Sequence, residues 1–166
     1  RVGIPQGAEV ASLNVASVSA DGPGFLTVYP CDQPRPNAAS VNYDGGDVRS
    51  NAVLTNLSAT GSVCIYTLRA TDLVADVNGS FAAESGFDAI NPARLLETRV
   101  GPNLEPVDPQ AQGIGFVDDG EVLTLQVTGR TGIAAGATAA SLNVVAVLAD
   151  GPGFLTVYPC DQPRPN

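Results

Sequence analysis

The strongest constraint on what this chain can fold into is a stretch that it carries twice. Residues 1 to 37 (RVGIPQGAEVASLNVASVSADGPGFLTVYPCDQPRPN) align without a gap to residues 130 to 166 (RTGIAAGATAASLNVVAVLADGPGFLTVYPCDQPRPN) at a constant offset of 129, and eight differences leave 29 of 37 positions identical. Separate motifs would have drifted, so the pattern reads as a window of 166 residues on a tandem array of 129-residue units. The alternative is one domain with two related hairpins. Two hairpins inside one core, however, sit in different surroundings and need not both keep the PCDQPRPN tail. The array reading expects a stretch like residues 38 to 47, AASVNYDGGD, to follow residue 166.

The offset also resolves the cysteine count. Cys160 is the copy of Cys31, so one unit contains two cysteines, in VYPC and in SVCIY, and the number per unit becomes even. The simplest pairing joins Cys31 to Cys64 and leaves Cys160 to bond a residue outside the chain, with two buried free thiols as the alternative. Closing a loop of that length gives roughly 3.8 kcal/mol in the chain-entropy treatment, a useful gain for an extracellular module. Two cysteines with no histidine make a poor zinc shell.

Short runs with period-two alternation or β-branched enrichment recur between Gly, Pro, Asn and Asp clusters. They predict strands at 12–20, 25–31, 40–43, 52–58, 62–68, 72–77, 93–99 and 121–128, and no window sustains a helical repeat. In EVLTLQVT, Leu123, Leu125 and Val127 point one way while Thr124, Gln126 and Thr128 point the other, the pattern of a strand with one wet face. The expected fold is all-β: an antiparallel β-sandwich, or a closed barrel-like variant, with about eight strands per 129-residue unit. Within the duplicated stretch, SLNVASVSA and FLTVYPC read as two strands of a hairpin. DGPG forms the turn, with Gly22 and Gly24 free to take positive φ and Pro23 at a corner. Pro34 and Pro36 cannot donate to a ladder, so CDQPRPN is expected to leave the sheet as a stiff extended segment stapled by its cysteine. Phe25 and Tyr29, with their copies Phe154 and Tyr158, alternate in phase and are expected to fill the core rather than to form a sugar platform. Three of the eight differences, Ala16/Val145, Ser17/Ala146 and Ser19/Leu148, fall on the first strand, which is therefore expected to have a partly exposed, tolerant face.

Taken together, NPARLLETR at 91 to 99, the GFLTVYPC and PRPN stretch, GSVCIYTL and TDLVADVNGSF at 71 to 81 resemble a repeat of secreted and surface proteins of actinobacteria and relatives. There it occurs in tandem or as a C-terminal appendage to secreted hydrolases, and the resemblance covers nearly the whole chain. It implies a unit that begins near PARLL and ends after the LVADV stretch. Carried over, residues 1–87 are the C-terminal two-thirds of one unit and 88–166 the N-terminal two-thirds of the next, with a boundary in AAESGFDAINP. Alternatively, 1–129 is one unit and 130–166 a partial unit or strands donated to a neighbouring molecule.

Little in the composition supports chemistry. All eight basic residues are Arg and there is no histidine, so imidazole bases, Ser-Lys dyads and Schiff bases are absent. A net charge of −9 disfavours nucleic acid and anionic lipid. No segment reaches the ~20 apolar residues of a membrane span, and no signal peptide is present, as expected of a mature fragment. Asp44 and Asp47 in DGGD, and Asp118, Asp119 and Glu121 in DDGE, could bind calcium or act as a carboxylate pair. They lie among turn glycines, where Asp serves the backbone, and follow no calcium-loop spacing. Glu97 and Arg99, two apart, read as a structural ion pair. The long stretch from Gly101 to Gly120 is the place to look for a binding site. The expectation is a non-catalytic secreted structural repeat with no cofactor, whose partners are neighbouring copies of itself. A carbohydrate- or surface-binding module is the second reading.

Overall fold

The computed structural model describes residues 4 to 165. Among them the protein is all-β, with six strands: β1 (Ala8–Val18), β2 (Gly24–Pro30), β3 (Val41–Tyr43), β4 (Val48–Asn56), β5 (Val63–Thr67) and β6 (Asp72–Ala82). They form two antiparallel three-stranded sheets, ordered β4-β1-β6 and β3-β2-β5. The first six predicted strands are therefore present with shifted ends. The expected strands at 93–99 and 121–128 are not formed, so the expected eight strands are not reached among the described residues. Both segments lack a neighbouring strand to complete a ladder. In 121–128 the alternation nevertheless survives as burial, with Leu123, Leu125 and Val127 half-buried and Thr124 and Gln126 exposed.

The two sheets share one core. Ala11, Leu13, Val15 and Val53 from the first sheet meet Leu26, Val28, Val41 and Tyr43 from the second, with Val63 and Ile65 packed alongside. Period-two alternation selects these residues: Leu26 and Val28 face inward opposite Thr67 and Ile65 of β5, and Leu13 sits opposite Val53. Fully burying one such aliphatic side chain stabilises a fold by roughly 1.5 to 3 kcal/mol.

The expected hairpin is not one. β1 and β2 belong to different sheets, and the stretch between them crosses from one sheet to the other. Its backbone groups bond to flanking segments: Ser19 N donates to Asp47 O (3.2 Å), Asp21 N to Ala70 O (3.0 Å), and Ala20 O accepts from Gly46 N (2.8 Å). The bend lies at Ser19, with φ 51°, and neither Gly22 nor Gly24 has positive φ. Gly24 is needed for space instead, since a Cβ there would lie 2.7 to 2.8 Å from the Tyr43 ring and hydroxyl. This arrangement makes β1 and β2 the central strand of each sheet, so both are flanked on two sides.

Phe25 and Tyr29 are not core residues either. The core face of β2 is taken by Leu26 and Val28, and antiparallel register places Tyr29 beside Cys64 on the opposite face. There Phe25 packs on Tyr66, with centroids 5.9 Å apart. The segment after β2 crosses this outer face, as its prolines suggest. Arg35 lies 4.2 Å over the Tyr66 ring, and Thr27 Oγ1 donates to Ala38 O at 2.7 Å. A disulfide joins Cys31, one residue beyond β2, to Cys64 in β5, with Cα atoms 4.9 Å apart.

Candidate functional site

The residues singled out for chemistry are dispersed. Asp47 forms an exposed ion pair with Arg49 at 2.7 Å. Asp44 is exposed in the turn before β4. Asp118 N donates to Glu121 Oε2 at 2.8 Å, a local turn bond, with Asp119 exposed beside it. Among the described residues no group of three or more His, Cys, Asp or Glu side chains could hold a metal ion. Cys160 is free and exposed.

The 91–130 segment is ordered by two arginine–carboxylate clusters. The Glu97 carboxylate is buried and accepts Arg99 Nε at 2.8 Å and Arg99 Nη2 at 2.9 Å, with Arg94 Nη1 at 3.1 Å. This is the expected pair, extended by a third member, and its bidentate geometry is the strong form of such a contact. The hydrogen bond from Arg99 outweighs the cost of burial and holds the Glu97 carboxyl below its ordinary value. The long stretch after Gly101 folds back onto these residues, since Glu97 N donates to Ala111 O and Gly113 N to Glu97 O. A second cluster was not anticipated. Buried Arg130 donates to both oxygens of Asp108, at 2.6 and 2.9 Å, to Leu95 O at 2.9 Å and to Gln126 O at 2.9 Å. Its guanidinium lowers the Asp108 carboxyl. The usable signal was that Arg130 opens the second copy unchanged while its neighbour differs; its own counterpart, Arg1, lies outside the described residues.

An open cleft of about 420 Å³ lies near the end of β2, bordered by Pro30, Asp32, Asn56, Ile90, Asn91 and Thr131. Buried Asn91 Oδ1 and Thr131 Oγ1 have no hydrogen-bond partner. The Gly101–Gly120 stretch does not line this cleft.

The most distinctive surface is the second copy of the duplicated sequence. Residues 137–159, whose counterparts form β1 and β2, contain no strand. Leu26 and Val28 are 0% exposed, whereas their identical counterparts Leu155 and Val157 are 61% and 65% exposed. The sequence is the same, so the difference is one of partners: 1–37 is followed by the strands of 38–82, and no such strands flank 130–165 here. The second copy touches the first unit through Asn143, which donates to Ala39 O at 2.8 Å and accepts from Asn51 Nδ2 at 3.0 Å. Of the three differences expected on a tolerant face, Ser19 is exposed just beyond β1, but Ala16 and Ser17 are both buried. Ser17 Oγ lies 2.8 Å from Thr71 Oγ1, a bond that Ala146 cannot copy.

No helix among the described residues is long and apolar enough to cross a membrane, and the disulfide suits an oxidising, extracellular-type environment. No protein-family model matches the chain, and neither a curated protein nor a solved structure matches it.

Proposed function

We propose that the protein is a non-catalytic, secreted structural module of a tandem β-sandwich repeat, acting as a surface fibre, stalk or spacer. The observation that carries this reading is the 129-residue duplication, whose first copy supplies the central strand of both sheets of a disulfide-closed core. A unit built this way gains length by repetition, and its acidic surface keeps neighbouring copies from collapsing onto one another. The unit boundary is placed between 87 and 88, so that the Arg94–Glu97–Arg99 and Arg130–Asp108 clusters open a second unit. The likeness to the repeat of actinobacterial secreted and surface proteins points the same way. The test is the mass of the native protein under reducing and non-reducing conditions, with peptide mapping of its copy number. Several copies of the unit in one polypeptide are expected, and a native protein of one unit would sink the reading.

A binding function is the second reading, favoured by the Phe25–Tyr66 pair on the outer face of the second sheet. Arg35 already covers one face of the Tyr66 ring at 4.2 Å, so a planar or sugar-like ligand would have to displace it. Glycan-array binding lost on Tyr66→Ala or on changes in the Gly101–Gly120 stretch would support it, and a blank array would remove it.

A further inference from the structure

Every residue that the first copy contributes to the core cluster has an identical counterpart 129 positions on. Ala11, Leu13, Val15, Ala20, Leu26 and Val28 correspond to Ala140, Leu142, Val144, Ala149, Leu155 and Val157. Three buried residues outside that cluster do differ, Val10/Ala139, Ala16/Val145 and Ser17/Ala146. In the first copy these side chains are buried, and most of the surface that covers them comes from β3 to β6. In the second copy Leu142 is 41% exposed and Val144 is 50% exposed, in line with Leu155 and Val157. Large apolar side chains left this exposed mark an interaction surface, and here the first copy shows what fits them.

We propose that residues 137–160 are a docking segment whose partner is a polypeptide with the sequence of residues 38–82, free of its own first two strands. On docking, 137–147 becomes the central strand of one sheet and 153–159 that of the other, as β1 and β2 are in the first copy. A second intact copy of this chain is the wrong occupant. Its 38–82 scaffold is already filled by its own β1 and β2, so exchange would bury no additional apolar surface and would still cost the freedom lost on association. An unfilled scaffold gains the full burial and two completed ladders.

The cysteines give the docked state a covalent signature. Cys31 bonds Cys64 in the first copy, and Cys160 stands free at the matching place in the second. In a glutathione buffer, glutathione disulfide oxidises the Cys160 thiol and the thiol at position 64 of the docked scaffold. One protein S–S bond forms, the glutathione S–S bond breaks, and the two thiol protons end on two glutathione molecules.

This proposal rests on the repeat reading, and its test separates the two. The full chain is titrated with an isotopically labelled polypeptide of residues 38–82 in glutathione buffer, followed by size-exclusion chromatography, circular dichroism and disulfide mapping. A one-to-one complex is expected, with gained β signal and a Cys160–Cys64 crosslink between unlabelled and labelled chains. Leu155→Asp with Val157→Asp should weaken binding at least a hundredfold while the first unit unfolds at an unchanged temperature. A second arm joins residues 38–82 directly after Asn166, where a second protected β core and loss of the free thiol are expected. Absence of a complex together with a free Cys160 in the joined chain would overturn the proposal, as would binding that ignores the two aspartates. Self-association of the unmodified chain through Cys160–Cys64 exchange would overturn the choice of partner. A native protein with many copies but no docking sinks this proposal alone, whereas a native protein of one unit sinks the spacer reading whatever the binding shows.

Discussion

The duplicated sequence permits one substitution to be made twice in the same chain, at Leu26 and at Leu155. Leu26 is fully buried in β2, flanked by Val41 of β3 and Thr67 of β5. Leu26→Ala removes three carbons at roughly 0.8 kcal/mol each, and the residual cavity raises the loss to about 3 to 4 kcal/mol. A core the size of residues 8 to 82 is expected to hold roughly 4 to 11 kcal/mol in all. The variant should therefore lose about a third or more of its stability, and its melting temperature should fall by at least about 12 °C. Leu155→Ala removes the same atoms from a side chain that is 61% exposed, and should change stability by no more than about 0.5 kcal/mol. Urea unfolding of the two variants, with the slope of the transition checked for constancy, measures both values. Equal shifts in the two variants, or a loss above about 1 kcal/mol at Leu155, would refute the assignment of core and exposed copies.

The glycine pair gives a parallel contrast: Gly24→Ala places a methyl group within 2.8 Å of Tyr43 and should cost about 1 to 3 kcal/mol. Gly153→Ala, with open space around it, should leave the unfolding midpoint unchanged within error. Replacing Cys31 and Cys64 together by Ser opens a loop with a separation of 33 residues and should lower stability by about 3.8 kcal/mol; thermal unfolding of the double variant against the oxidised protein measures it. The lowered Glu97 carboxyl makes a stabilising contribution that is fully present above the ordinary value of 4.5 and is lost as pH falls through the lower folded-state value. Hydrogen exchange at residues 94 to 99 should therefore lose protection below about pH 4.5. Glu97→Gln should have low protection at pH 7 and little further dependence on acid.

The strand positions in residues 8–82 were legible because they depend on local properties. Alternation places Leu26 and Val28 on one face, β-branched residues favour the extended chain, and Pro34 and Pro36 keep the segment after β2 out of a ladder. The Cys31–Cys64 pairing was legible once the repeat offset made the cysteine count even. The candidate site was less so. Glu97 and Arg99 could be paired by spacing, but Arg130 reaches Asp108 across 22 positions, a distance over which a single sequence carries no pairing signal. Phe25 and Tyr29 were misread because their in-phase alternation was assigned to the core face, whereas packing of the two sheets decides which side each residue takes.

By itself, then, the sequence determined where the chain extends within residues 8–82 and which residues alternate there, because these follow from side-chain sterics and from the missing amide hydrogens of proline. Tertiary structure alone decided which strands are neighbours. β1 and β2, adjacent in the chain and readable as a hairpin, sit in opposite sheets because each is completed by strands on both sides. The same DGPGFLTVYPC letters form a buried strand at 24–30 and none at 153–159. A β-strand's hydrogen bonds lie outside its own segment, so identical sequences adopt it only where partners stand beside them.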